Sequence, residues 1–464
     1  MSFTKQTVRD IDLKGKQVLM RVDYNVPIED GKVASDYRIS ESIPTILYLL
    51  DQGCSIVLMS HLGRPEGITE PKYSLRPTAE CLSKLINMPV QFAGDCLGPD
   101  TALAARSLAP GQILMIENVR FYAEEEKNDK DFAKKLASYG EIFVNDAFGA
   151  AHRAHASTEG VTHFLPSVAG LLLEKEVDTI TNVMSNPARP LMAIVGGAKI
   201  SDKITVLEKF IDIADFIAIG GAMANTFLLA QDIAIGKSLA DKDEVSLAKE
   251  IIEKAAAKAK KQPFVFYLPQ DGVVATDLKS PKSTRIVDWD TQAIADIESY
   301  PGQPKHEASL VAENEMILDV GPFSGSFIAG GSQLAQTVVW NGTMGVTETD
   351  GPNNDPIGPF AHGTEIIVEA LMGQHGHRPF TVVGGGDTVS YVEERGLTKA
   401  FNHVSTGGGA SLELMEGKAL PGVEALLDKT ATKSTKPATA KAPAAKPATK
   451  TPKSGIIKHK KKSK

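Results

Sequence analysis

Apolar residues in this chain fall into short runs, each closed by glycine or a polar loop. Between them lie longer stretches with helical spacing of apolar positions. QVLMRVDYNVP reads as a strand and then a loop, SESIPTILYLLDQG as a helix ending at Gly53, and SIVLMSHLGRP as the next strand and loop. LRPTAECLSKLI is helical again, while QILMIENVRF and EIFVNDAFG repeat the strand-then-loop design. GLLLEKEVDTITNVMSNPARP reads as one long helix ending before Pro187. Beyond it LMAIVGGAK, FIAIGGAMANTF, FVFYLP, TVVWNG and FTVVGGGD are apolar strands. Strands alternating with helices predict an α/β protein with doubly wound parallel sheets. Here that means two such Rossmann-like domains joined by one helix, a candidate hinge. The stretch TDLKSPKSTRIVDWDTQAIADIESYPGQPKHEASL is polar and mixed, and reads as an excursion without chemistry.

Ligands of such sheets sit beyond the carboxyl ends of the strands. In the first region those ends carry Arg21, Asp23, Asn25, His61, Arg64, Arg120 and Arg153, and Arg38 lies on the turn before a helix. Any one of these arginines is most often a surface ion-pair partner. Together they predict a basic pocket, because guanidinium forks match carboxylate and phosphate oxygens in pairs. In the second region the strands end in glycines: GGAK at Gly196–Lys199, GGAM at Gly220–Met223, GGGDT at Gly384–Thr388 and STGGGAS at Ser405–Ser411. A glycine turn at a helix start brings backbone N–H groups close to an anion. Asp387 beside a bound phosphate could hold Mg²⁺, and Thr388 could donate its hydroxyl to the same phosphate. The plain alternative is a glycine turn with Asp387 or Thr388 as helix N-cap.

Composition adds three things. Cys54, Cys81 and Cys96 lack CxxC spacing, which points to a reducing compartment and away from a disulfide framework. The N-terminus has no apolar core of signal-peptide length, and no apolar run approaches the ~20 residues of a membrane span. A cytoplasmic protein without a membrane segment is expected. The net charge of −7 is unevenly placed, since the last stretch, from Lys429 to Lys464, holds twelve lysines and no acid. Built from Lys, Ala, Pro and Thr, it predicts a disordered polycation able to bind polyanions weakly.

The ordered set VLMRVDYNVP, SHLGRP, VNDAFGAAHRAH, GGAKISDK, WNG…GVTE, GGGDT and HVSTGGGASLELMEGKALPG resembles phosphoglycerate kinase, from about Val18 to about Gly422. The resemblance implies a triose-binding domain over 1–185, ending in the linking helix 170–185, and a nucleotide-binding domain over 186–408. Residues 409–428 would return to the first domain, leaving 429–464 as the tail. Asp23, Asn25, Arg38, His61, Arg64, Arg120 and Arg153 would hold 3-phosphoglycerate or 1,3-bisphosphoglycerate. Gly197, Lys199, Lys203, Gly220, Asn341, Glu348, Gly385, Gly386, Asp387 and Thr388 would hold ATP or ADP, with Glu348 on the ribose and Asp387 on Mg²⁺. Arg38, Lys203 and the turns at Gly385 and Gly408 would carry the transfer. A monomer is implied as well.

The chain departs from the family at the rim of the nucleoside pocket. Thr347 stands where an aromatic is usual, TDGPNNDPIGP is inserted after it, and Ala222 replaces a common glycine. Two other functions compete with this reading. One is a scaffolding protein that uses its tail, and the other is a kinase of a different acyl phosphate. Intact charged positions argue against the first, and the triose-pocket residues against the second.

Overall fold

The computed structural model describes residues 3–279, 283–289, 310–349 and 357–429. The inserted TDGPNNDPIGP lies mostly outside these residues, as do the greater part of the polar excursion and the tail from 430 onward.

Two six-stranded parallel sheets organise the described chain. The first runs, edge to edge, Val90–Phe92, Ile113–Met115, Ser55–Met59, Gln17–Arg21, Ile142–Asn145, Ser167–Ala169. The second runs Val265–Tyr267, Phe216–Ile219, Leu191–Val195, Thr337–Asn341, Phe380–Gly384, His403–Val404. In chain order the second is 3-2-1-4-5-6, the doubly wound order in which ligands sit where the order reverses. Every residue of Ser55–Met59, Leu191–Val195 and Thr337–Asn341 is buried. Strands covered by helices on both faces are apolar along most of their length, which is why they read as runs rather than alternations.

The helix Leu171–Ser185 lies between the sheets in sequence and shares its buried face with both. Leu173, Ile180 and Val183 join one apolar cluster with Phe148 and Ala169 from the first region and Leu191, Ala193 and Phe210 from the second. Each such side chain withdraws about 1.5–3 kcal/mol of apolar surface from water. Asp146, after the strand Ile142–Asn145, accepts from Leu172 N at 2.9 Å and Leu173 N at 3.2 Å and so fixes the start of this helix. Burial pushes that carboxyl up to about 7.

The last described stretch lies against the first sheet. Gly422 N donates to Ala151 O, Asn145 Nδ2 to Gly422 O, Leu427 N to Ser167 O and Gln6 N to Leu427 O. Lys5 Nζ reaches Asp428 Oδ1 at 2.8 Å.

Three expectations need correction. Arg38 is not on a turn before a helix but in the first turn of the helix Tyr37–Asp51, because Asp36 O already accepts from Ser40 N. The polar excursion is not wholly irregular: Arg285–Asp288 pairs antiparallel with Asp271–Ala275, which pairs with Met316–Val320 in a third sheet. Arg21 does not point into open space. Its side chain is only 1% exposed and is bonded to Ser157 Oγ, Val22 O and His61 Nδ1.

Candidate active site

At the carboxyl ends of the first sheet lies a cavity of about 240 Å³. Asp23, Asn25, Arg38, His61, Arg64, Arg120 and Arg153 all line it. The backbone of Gly407–Gly409 closes its far side. The pocket is assembled by short hydrogen bonds between neighbouring loops. Asp23 Oδ2 accepts from Arg38 Nη1 at 3.1 Å. Asn25 Oδ1 accepts from Gly63 N at 2.9 Å, and Arg120 Nη1 donates to Gly63 O at 2.8 Å. Arg120 Nε also sits 3.1 Å from Glu126 Oε1. Arg64 and Arg153 remain exposed.

Beneath the pocket, Arg21 sets the state of His61. Burial, and then the charges of Arg21 and Arg120, push the imidazole well below its usual range, so it is neutral at pH 7. Arg21 Nη2 lies 3.2 Å from His61 Nδ1. Arginine can only donate, so Nδ1 accepts and the ring proton sits on Nε2. His61 is thereby fixed as a hydrogen-bond donor. Ser157 and Glu125 complete the support, with Glu125 Oε2 accepting from Ser157 N at 2.9 Å. Sequence reasoning missed His152 and His155, which also line the cavity, although both stand in the AAHRAH motif.

The second sheet ends in a cavity of about 250 Å³. Gly197, Ala222, Glu348 and Asp387 line it, together with Leu228 and Trp289. Backbone, rather than side-chain charge, gives it shape. Gly221 has φ +64°, and a Cβ there would lie 2.5 Å from Gly197 N, so only glycine lets the two turns cross. Lys203 Nζ donates to Asn341 O at 3.0 Å and Oδ1 at 2.5 Å. Burial pulls this ammonium down to about 8, against the upward pull of Asp387 and Asp202. Asn341 Nδ2 is buried without a partner among the described residues, and a Cβ on Gly385 would lie 3.4 Å from it.

Several expected residues stand elsewhere. Thr388 is fully buried, and its hydroxyl accepts from Gly342 N at 2.6 Å. It ties the GGGDT turn to the neighbouring strand end and does not offer its side chain to the cleft. Gly220 is also buried, with the Met344 sulfur where its Cβ would be. Lys199 is exposed and lines neither cavity. Thr347 is off the wall, which Val346 and Glu348 form instead. Trp289 had no readable signal, since it sits in the polar excursion.

Gly385 and Gly386 open on a groove of about 1010 Å³ that runs back to Asn25 and Arg38. Arg38 therefore lines both the basic pocket and this groove.

Comparison with known proteins agrees with this arrangement. The family model described as phosphoglycerate kinase matches residues 8–418. The phosphoglycerate kinase of Moorella thermoacetica is 47% identical over 427 residues, covering 92% of this chain and 100% of the relative. The cytosolic phosphoglycerate kinase of Triticum aestivum is 47% identical, covering 90% and 97%. The solved structure of phosphoglycerate kinase from Coxiella burnetii aligns at a TM-score of 0.73 with 37% identity, covering 91% of this chain and 98% of that one. Two parallel sheets with a basic pocket on one and glycine turns on the other thus meet a match over nearly the whole described chain, and the chain belongs to the phosphoglycerate kinase family.

Proposed function

We propose that the basic pocket takes 3-phosphoglycerate or 1,3-bisphosphoglycerate and that the glycine-lined cavity takes ATP or ADP. The enzyme is a kinase of glycolysis. It moves the acyl phosphate of 1,3-bisphosphoglycerate reversibly to ADP, giving 3-phosphoglycerate and ATP. The observation that carries the assignment of sites is the position of Arg38, on the wall of both the pocket and the groove below Gly385 and Gly386.

In the ATP-consuming direction the nucleophile is the substrate's own carboxylate. With a pKa near ~4 it is ionised at pH 7, so the protein needs no general base. Its task is to position two substrates and to meet charge on the transferring group. Asp23, Asn25, His61, Arg64, Arg120 and Arg153 orient the triose, with His61 donating from Nε2. Arg38 meets the transferring phosphoryl oxygens from one side. Lys203 and the amides of Gly384–Gly386 and Gly407–Gly409 meet them from the other. Glu348 takes the ribose hydroxyls. Gly220 and Thr388 act by shaping the turns, and Lys199 reaches the outer phosphates from its exposed loop.

The donor set also fits a hard cation. Asp387 is exposed at the first turn of the helix Gly386–Glu394, and no cluster of three or more His, Cys, Asp or Glu stands ready to hold a metal among the described residues. A single carboxylate suits Mg²⁺ that arrives with the nucleotide and takes its other oxygens from phosphate and water. When bound, the ion neutralises phosphate charge.

Residues 1–185 and 186–408 would act as two domains that close about the helix Leu171–Ser185, excluding water that would hydrolyse the acyl phosphate. Residues 409–428 belong with the first. The enzyme works as a monomer in the cytoplasm, where its three free cysteines stay reduced. A coupled assay of ATP-dependent 3-phosphoglycerate turnover tests the assignment. Turnover of another carboxylic acid in its place would reject it.

A further inference from the structure

The start of the helix Tyr37–Asp51 touches the second sheet as well as the first. Tyr37 Oη donates to Val404 O across 2.5 Å. The Tyr37 ring packs on the apolar cluster that contains Val383, Phe401 and Val404. Two residues earlier, Ser35 Oγ bonds Glu393 Oε2 on the helix behind the GGGDT turn. Burial, and then Glu41, Glu176 and Glu393, push the Tyr37 phenol upward, so it keeps its proton and remains a donor. Val404 belongs to the edge strand His403–Val404, which pairs with no further strand on its outer side among the described residues.

The two ends of this contact are significant. Tyr37 is followed at once by Arg38. Val404 is followed by Ser405–Gly409, whose glycines close the basic pocket. One hydrogen bond therefore fixes the distance between the backbone that carries the guanidinium and the backbone that carries the amides opposite it. We propose that Ser35 and Tyr37 form a strap across the cleft, and that Tyr37 is a positioning residue that holds Arg38 in register with the Gly407–Gly409 turn for phosphoryl transfer. The strap rests on the reading of Arg38 given above. It acts through geometry: Tyr37 and Val404 stand on the wall of the groove below Gly385 and Gly386, outside the basic pocket.

The test is Tyr37→Phe, which keeps the ring and removes the donor. The expected result is a kcat lower by about tenfold, ~1.4 kcal/mol, with the KM for 3-phosphoglycerate and the separately titrated nucleotide affinity little changed. A double-mutant cycle supplies the decisive readout. In an Arg38→Ala background, Tyr37→Phe should leave kcat where it is, because its effect passes through the missing guanidinium. Should Tyr37→Phe fold poorly, Ser35→Ala removes the other strand of the strap and should lower kcat in the same sense. A wild-type kcat in Tyr37→Phe overturns the strap, as does an equal fold-loss in both backgrounds, which would mark Tyr37 as merely structural. Failure of the Arg38 reading looks different: Arg38→Ala would itself keep near-normal kcat, and the strap would fall with it.

Discussion

On the proposed reading the two walls of the cleft solve the same problem, binding anions, with different materials. The triose wall uses side chains. Arg38, Arg120, His61 and Asp23 are held by one another and by loop carbonyls, down to the buried Arg21. The nucleotide wall uses backbone. Its turns cross at Gly197 and Gly221, its strand end is tied by Thr388, and the half-buried Lys203 lies beside Asn341. A small, densely charged triose must be gripped from several directions by forks. A nucleotide offers a longer body, and oriented amides at helix starts suffice for its phosphates. Damage should therefore fall differently on the two walls: charge removal on one, added methyl groups on the other.

The largest effect is expected at Arg38. On the proposed reading it meets the transferring group, so its contribution belongs to the transition state and should appear in kcat and kcat/KM together. Arg38→Ala should lose at least ~100-fold in kcat with nucleotide affinity little changed, and Arg38→Lys should recover only part. Steady-state kinetics with a separate nucleotide titration checks this. A change confined to 3-phosphoglycerate binding would make Arg38 a clamp like its neighbours. The next effect is on the glycine wall. Gly386 has open space where a Cβ would go, so Gly386→Ala should fold normally. The methyl would still stand on the open side of the turn, and nucleotide affinity should fall about tenfold, ~1.4 kcal/mol, with triose binding untouched. Calorimetric titration of both ligands decides; equal affinities would remove Gly386 from the phosphate site.

What could be read from sequence follows the same division. Charged side chains at the ends of apolar runs were visible, because a buried parallel strand is an unbroken apolar run and its loop is where the polar residues begin. Six residues read from strand ends this way, Asp23, Asn25, His61, Arg64, Arg120 and Arg153, share one cavity with Arg38, which the sequence placed on a turn before a helix. The glycine wall was visible only as glycine. Sequence could not separate Gly386, open to the cleft, from Gly220, pressed against Met344, because the two differ only in what passes nearby. Val90–Phe92 and Ser167–Ala169 are too short to show a period, and Arg285–Asp288 is a four-residue strand with a charged residue at each end, set in a polar stretch. Arg21 reads like its neighbours, yet it faces inward because Ser157 and His61 accept it there.

Base selectivity is the next test, and it probes the apolar end of the backbone-built wall. Thr347 is off the wall, and Trp289 lines the cavity. Aromatic faces stack on any base, so measurable GTP use is expected beside ATP. A preference for ATP above about a thousandfold, ~4 kcal/mol, would mean the wall reads base edges after all.

A subtler effect concerns Lys203. Its folded value of about 8 is depressed from 10.5, so the free enzyme gives up this proton as pH rises through about 8. Between about 8 and 10.5 the unfolded chain binds more protons than the folded one. Stability from this group therefore rises with pH across that window. Nucleotide phosphate restores the charge, so binding near pH 8.5 should take up a fraction of a proton. Calorimetry in buffers of different ionisation enthalpy measures it, and zero uptake would place the phosphates away from Lys203.

The smallest effect on turnover should come from the region belonging to neither wall. Truncation after Asp428 should leave kcat intact and abolish salt-sensitive retention on DNA or heparin, since twelve lysines release counterions on binding. Equal retention by the shortened protein at low salt would assign that binding to the body.

The seam that joins Lys5 and Gln6 to Leu427 and Asp428 bears on how the protein is made. The first sheet is synthesised early, but Asn145, Ala151 and Ser167 bond to residues that leave the ribosome more than 200 positions later. At ~5–20 residues per second that is a wait of roughly ten seconds or more. Throughout it Gln6–Val8 can already pair with Ala169, but Ser167 O, Ala151 O and Asn145 Nδ2 lack their partners, and the first sheet cannot yet seal. Substitutions between Glu416 and Asp428 should then show themselves as poor yield of soluble protein, in a stretch that lines neither the basic pocket nor the glycine-lined cavity.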